Sequence, residues 1–318
     1  MNPRARLAAC VAILLILIAF PPLTGFHPYY LYLFSTAFLF GTLASAWNLL
    51  AYAGQISFGH AAFFGLGAYG AALTSLGGLS PWAAIGVGGL LGVLGALAIG
   101  LAAARLKGAY LALATLAYAE ALRGVALNWT ALSGGGAGLI GIPPLPGLGW
   151  LAGELTRSRA IAYYLSLAVL VAMLATFTAV LRSRIGLAFA AIREEEERAG
   201  VLGLRPLSWK LLAFALSALF TALAGGLYIH TIGVVEPDLV FGRYFSFLPL
   251  VMAMVGGLYT LFGPALAALV LYLMSELLFH PYAPALHQLP YALSLVAVIL
   301  YFPGGLAGLL RRRRHASA

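Results

Sequence analysis

Stretch after stretch of this 318-residue chain runs on apolar side chains for about twenty residues, the length an α-helix needs to cross a ~30 Å hydrocarbon layer. Hydrophobic residues make up 63% of the chain and charged residues 8%, whereas an ordinary soluble domain carries about 25% charged residues. Two-residue alternation is scarce, so the spans read as helices rather than barrel strands. The expected fold class is an all-α integral membrane protein. Ten spans fit, roughly 7–23, 30–52, 57–76, 81–104, 108–127, 160–181, 210–232, 244–258, 260–280 and 289–309. Of these, 57–76 also fits a broken or re-entrant segment, and 244–258 is short.

The net charge of +9 does not point to nucleic acid, because of where the charges sit. Arg4, Arg6, Arg105, Lys107, the basic residues from Arg182 to Lys210, and Arg311 to Arg314 all lie at span ends or in one charged loop. That distribution is a topology signal. With both termini inside, the inner segments hold fourteen of the 18 basic residues, while Arg157, Arg159 and Arg243 fall outside and Arg123 near the outer end of a span. The start, Arg4 and Arg6 before an apolar run, resembles a signal peptide. The run continues into PPLTG without a small-x-small cleavage site, so a retained first helix is expected. Cys10 is the only cysteine, which excludes an intrachain disulfide.

Several chemistries are excluded by motif. Gly65-Leu-Gly67-Ala-Tyr-Gly70 matches the dinucleotide fingerprint in letters, but it lies in an apolar helix without the βαβ unit that such binding needs. A P-loop requires Gly-Lys-Ser/Thr. The only lysines, Lys107 and Lys210, do not follow glycine, so no ATP hydrolysis by this chain is expected. There is no C-x-x-C, H-E-x-x-H or G-x-S-x-G, and no clustered His/carboxylate set for a metal. Gly88, Gly92, Ala96 and Gly100 recur every four residues, a face for close helix packing. The outer segments Asn128–Arg159, rich in Gly and Pro with little helix potential, and Thr231–Arg243 fit plain connectors, an outer gate or a partner contact.

Three polar features remain. Gly54-Gln55-Ile-Ser57-Phe-Gly59-His60 is the densest polar group at membrane depth, and its glycines permit an interrupted helix. It fits a pore-lining or gating element, and it fits equally a polar patch that holds helices together. Glu120 and Glu276 are intramembrane carboxylates; Glu120 has Arg123 three residues on for a local ion pair, and Glu276 has no evident partner. The third feature, Arg182–Lys210, carries more than a third of the charged side chains. At helical spacing Ile185, Phe189, Ile192 and Ala199 share one ~80° sector. Glu194 points away from it and stands i,i+4 to Arg198. Glu196 falls on the apolar sector, which argues against one unbroken helix, and Gly203 and Pro206 mark its end. The segment reads as a docking element for a soluble partner or as a solvated loop.

NLLAYAGQISFGHAAFFGLGAYGAAL (Asn48 to Leu73), GAYLALATLAYAEALR (Gly108 to Arg123), SGGGAGL (Ser133 to Leu139), RIGLAFAAIREEEERAGVLGL (Arg184 to Leu204), KLLAFALSALFTALAGGLY (Lys210 to Tyr228) and GGLYTLFGPALAA (Gly256 to Ala268) resemble permease subunits of bacterial ABC importers for branched-chain amino acids, in the LivM-like branch. The resemblance implies one transmembrane permease domain over 1–318 in the bacterial inner membrane, with a periplasmic loop at about 128–159 and a cytoplasmic coupling loop at about 182–209. It implies a second homologous permease subunit, two ABC ATPase subunits that bind ATP and Mg, and a periplasmic substrate-binding protein. Gly186, Phe189, Ala191, Ile192, Arg193, Glu194, Glu195 and Gly203 would contact an ATPase, and Gly54–His60 would lie near the translocation path. The loop departs from its relatives in having Gly186-Leu187 where Gly-Arg is common, and four consecutive glutamates where a mixed acidic pair is common. Related permeases import urea or short amides.

The expected function is therefore inward transport of branched-chain or other apolar amino acids, with energy supplied by partner ATPases and no cofactor bound by the chain itself. The alternatives are a permease for urea or short amides, a proton-coupled carrier using Glu120, Glu276 or His60, and a passive channel for a small neutral solute.

Overall fold

The computed structural model describes residues 3–103, 105–146 and 154–279, with isolated helical positions between 289 and 300. In chain order it has α1 (Pro3–Leu23), α2 (Pro28–Tyr52), α3 (His60–Leu76), α4 (Pro81–Ala102), α5 (Gly108–Asn128), α6 (Thr130–Ser133), β1 (Leu139–Ile140), α7 (Glu154–Arg182), α8 (Arg184–Glu194), α9 (Glu196–Val201), α10 (Pro206–Ile232), β2 (Val234–Val235), α11 (Pro237–Val240), α12 (Arg243–Gly256) and α13 (Gly263–Met274). α13 runs on into a π-helical turn, Ser275–Phe279. Among the described residues, six segments are long and apolar enough to cross a membrane: Pro28–Tyr52, Pro81–Ala102, Gly108–Asn128, Ser158–Arg182, Pro206–Ile232 and Pro237–Gly256.

Each expected span up to residue 280 has a helical counterpart, and the last, 289–309, lies outside the described residues apart from the isolated positions. Several boundaries differ for local reasons. α10 begins at Pro206 rather than 210, because a proline in the first turn gives up an N–H that has no intrahelical partner there. Pro28 and Pro81 open α2 and α4 in the same way. α7 takes in residues 154–159, expected to be loop, and Arg159 Nη1 donates to the Pro28 carbonyl at 3.1 Å. α3 starts at His60 because the residues before it are unwound.

α2 is almost entirely buried, against α7, α10, α12 and α13. Beside it α3, α4 and α10 form a second close-packed group. Small residues allow this approach. A Cβ at Gly67 would overlap the Ala222 backbone, one at Gly88 the Gly67 carbonyl, one at Gly225 the Phe64 carbonyl, and one at Gly92 the Ala222 methyl. The expected face Gly88–Gly92–Ala96–Gly100 thus meets α3 at one end and Leu211 of α10 at the other. Gly65, Gly67 and Gly70 all lie inside α3 against Phe241, Ala222 and Leu91, so the fingerprint-like spacing is helix packing. By contrast α5 is mostly bare, with Tyr110, Leu113 and Val125 exposed.

The two expected outer segments join. β1 and β2 pair antiparallel, Leu139 opposite Val235 and Ile140 opposite Val234. His230 Nδ1 meets the Pro143 carbonyl at 2.7 Å; since a carbonyl only accepts, the ring nitrogen donates. Gly138, at φ +70°, comes so close to Val235 that a side chain would not fit.

Replacing Gly67 with alanine should force α3 and α10 apart, at about 1–3 kcal/mol, and lower the melting temperature of the detergent-purified protein. Gly86→Ala, where a new methyl meets nothing within 4 Å, should not lower it. Equal melting of the two variants would contradict this packing.

Candidate functional site

α2 ends at Tyr52 and α3 begins at His60, and the residues between are in neither helix nor strand. Unwound backbone at membrane depth needs partners from protein or water, and neighbouring helices supply them. The α2 indole Trp47 Nε1 donates to the Ser57 carbonyl at 2.7 Å. The Phe58 N–H donates to Thr115 Oγ1 of α5 at 3.0 Å, and the Ala61 N–H to Ser246 Oγ of α12 at 3.2 Å. Within the segment the Gly59 N–H donates to Ser57 Oγ at 3.2 Å. Gly59 is required because a Cβ there would overlap the Thr115 carbonyl.

His60 is fully buried, with Nε2 3.0 Å from Ser217 Oγ of α10. The Ser217 hydroxyl donates its one hydrogen to the Ala46 carbonyl at 2.9 Å, so it accepts from His60, whose Nε2 carries the proton. Among the described residues His60 Nδ1 has no hydrogen-bond partner. Through Ser217 the ring joins α3, α10 and α2.

Exposure along the break alternates, as in an extended strand. Gln55, Ser57 and Gly59 are buried, while Ile56 is exposed and Gly54 and Phe58 half-buried. The outward side chains of this element are therefore apolar, and the Phe58 ring lies 5.6 Å from that of Phe247. The polar letters that drew attention in the sequence are the ones turned inward.

The start of the break touches α8. Gly54, at φ +78°, lies so close to Arg193 that a Cβ would come within 2.9 Å of the Arg193 Cα. The Arg193 guanidinium sits 5.1 Å from the Tyr52 ring centre and 4.4 Å from that of Tyr259, a cation held between two aromatic faces. Tyr259 itself has φ +64°, unusual for a non-glycine residue. The fully buried Asn48 of α2 holds it there: Oδ1 accepts from the Tyr259 N–H at 2.8 Å and Nδ2 donates to the Thr260 carbonyl at 2.8 Å.

α8 begins at Ser183, whose Oγ accepts from the Ile185 N–H at 3.2 Å. Its buried face is Gly186, Ala188, Phe189 and Ile192, and Ala199 of α9 continues it. Gly186 packs onto the Val180 carbonyl and Phe189 against Trp209. As the position of Glu196 suggested, the helix breaks, at Glu195 (φ −156°, ψ 99°). The anticipated Glu194–Arg198 pair does not form across that break; Glu194 pairs with Arg193 at 3.1 Å. Glu196 on the inward side is met by Lys210 at 2.6 Å and Lys107 at 3.5 Å, which ties α9 to α10 and to the α4–α5 connection. The Glu196 carboxylate, first among the causes, holds the Lys107 ammonium above its ordinary pKa. Of the expected docking residues, Gly186, Phe189 and Ile192 face inward, Ala191 and Arg193 are half-buried, and Glu194, Glu195 and Gly203 are exposed. Leu187, Val201 and Leu202 complete the exposed face, at 72%, 89% and 83% exposure. The sequence signal for them was available: apolar residues off the stripe of an amphipathic segment.

At the other end, Glu120 belongs to a row of charges longer than the local pair. Asp238 Oδ1 accepts from Arg123 Nε at 2.7 Å, Glu120 Oε2 from Arg123 Nη1 at 3.0 Å, and Glu120 Oε1 from Arg243 Nε at 3.0 Å. Glu276 lies in the π-helical turn, and no hydrogen bond or ion pair joins it to another described residue.

Residues 29–302 match the family described as the branched-chain amino acid transport system, permease component. The chain belongs to this family. It is 31% identical over 280 residues to the high-affinity branched-chain amino acid transport system permease protein LivM of Escherichia coli K12, an alignment covering 81% of this chain and 65% of LivM. LivM of Salmonella typhimurium LT2 matches to the same extent. The chain thus spans just under two thirds of the length of these curated relatives. No solved structure matches it. Membership of the permease family accords with the six helices among the described residues that are long and apolar enough to cross a membrane.

In this permease, Ser217→Ala should leave the buried His60 Nε2–H unpaired and cost about 1–3 kcal/mol. Thermal unfolding of the purified protein would show it, and an unchanged melting temperature would mean that the hydroxyl is dispensable.

Proposed function

We propose that the chain is the permease subunit of an ATP-driven importer that carries branched-chain or other apolar amino acids inward across the bacterial inner membrane. Family membership and likeness to LivM support the solute class. In this reading the chain is one permease domain of ten spans with both termini cytoplasmic. It pairs with a second homologous permease, two ATPase subunits that bind the ATP and Mg, and a periplasmic substrate-binding protein. α8 and α9 form the cytoplasmic coupling element, offering Leu187, Glu194, Glu195, Val201 and Leu202 to an ATPase.

The observation that carries this reading is the direct contact between α8 and the unwound segment. Movement of α8 displaces Arg193, and Arg193 bears on Tyr52, Gly54 and Tyr259. A push at the charged end therefore reaches the break between α2 and α3 without passing through an intervening helix. A proton-coupled carrier working through Glu120 is disfavoured, because that carboxylate is held by two guanidiniums.

The test is ATP-dependent leucine uptake by vesicles holding the complete complex. Arg193→Ala should lower uptake about tenfold, the factor that ~1.4 kcal/mol of lost contact corresponds to, while the ATPase subunits still co-purify. Uptake that continues without ATP, or by this chain alone, would overturn the proposal.

A further inference from the structure

Glu120 and Arg123 present charge where lipid would be expected. Glu120 lies about 12 Å from the Asn128 end of α5, at ~1.5 Å per residue, and Arg243 falls inside the apolar span Pro237–Gly256. Ionised side chains at such depth face protein or water, not hydrocarbon. Yet the Glu120 and Arg123 side chains are 33% and 36% exposed, and those of Asp238 and Arg243 are 63% and 73% exposed. The face they occupy is therefore one that this chain leaves open to water or to a partner protein.

The same face continues to the break. Arg243 and Phe247 are one turn apart on α12, Phe247 is 37% exposed, and its ring lies against Phe58 of the unwound segment. Ile56, also outward, is next along. A row of alternating charges thus stands beside an aromatic, aliphatic patch. Bonding capacity is left over at both ends of the row among the described residues. Arg243 uses only Nε, leaving its terminal nitrogens as a two-pronged donor for a carboxylate. Asp238 uses only Oδ1, and Glu120 beside Arg243 accepts one bond on each oxygen, which leaves each a second acceptor site for an ammonium.

We propose that this face is a way-station for the transported solute. A zwitterionic amino acid presents its carboxylate to the terminal nitrogens of Arg243 and its ammonium to the adjacent Glu120, 3.0 Å from Arg243 Nε, and lays an aliphatic side chain on Phe247, Phe58 and Ile56. The charge row has no net charge, so it matches a neutral zwitterion; a plain cation or anion would engage only half of it. A solute lacking either charge engages only one of the two neighbouring groups, Arg243 or Glu120. This rests on the transport reading above and adds to it where the solute binds and which of its groups are recognised.

Cysteine labelling of the complete complex in vesicles tests the proposal, in a Cys10→Ser background that removes the chain's one thiol. Phe247→Cys should react with a hydrophilic thiol reagent, whereas Val270→Cys, exposed on the wholly apolar helix α13, should not. Millimolar leucine should slow the Phe247→Cys reaction several-fold, and isoamylamine, which lacks the carboxylate, should not. Adding Arg243→Gln should abolish the protection and leave the labelling. Ile56→Cys provides a second reporter should Phe247→Cys fail to assemble. No labelling at either position would mean that lipid or the second permease covers the face, and labelling without leucine protection would mean water but no solute; either overturns the proposal. Loss of co-purification of the second permease on Arg243→Gln would mark the charge row as a subunit interface and overturn it too. ATP-dependent uptake by the unmodified complex separates these outcomes from failure of the transport reading itself.

Discussion

Backbone polar groups at membrane depth must find partners inside the protein or in water, and most of this architecture follows from meeting that demand at one break. The chain leaves helix after Tyr52 and does not resume it until His60. Trp47, Thr115, Ser217 and Ser246, from α2, α5, α10 and α12, each bond to the break or to the first residues after it. Because the donors and acceptors come from separate helices, the break also sets how those helices stand relative to one another. An α2–α3 continuous helix would have needed none of them.

The close packing of α3, α4 and α10 serves the same end. Without a hydrophobic driving force between helices in lipid, tight backbone approach has to supply cohesion. Glycines at 67, 88, 92 and 225 provide it along the length of α3. One side of the break is thereby anchored to a dense three-helix group. Its other side is the thinly covered α5, whose apolar surface this chain leaves mostly bare.

Much of this was legible in the residues. The spans, the small-residue face, the interruption near Gly54 and Gly59, and the discontinuity forced by Glu196 all follow from local rules of length, periodicity and cost of burial. What was not legible depended on contacts between distant segments. Arg123 and Glu120 declare themselves as neighbours on one helix, but Asp238 and Arg243 join them only because α11 and α12 fold back across α5. Lys210 looks like an end-of-span charge, yet it is nearly buried because Glu196 reaches it. Which way the break faces was equally hidden: extended backbone turns alternate residues to opposite sides, and sequence alone does not say which set is inward. The family resemblance located the element without resolving this.

The two ends of the break answer to different neighbours, and that gives the proposed mechanism its direction. Gly54 reports to α8 through Arg193, while Phe58, four residues on, stands beside Phe247 and the charge row. In the proposed mechanism a displacement at one end of this short non-helical segment is passed to the other. Asn48 adds a fixed point, since it holds Tyr259 in a conformation that costs energy and keeps its ring against Arg193. With that ring immobile, a shift of α8 cannot be absorbed by the 257–262 connection and bears on Gly54 instead. The polar residues first suspected of lining a path are instead turned inward, Ser57 onto the Gly59 N–H and His60 onto Ser217.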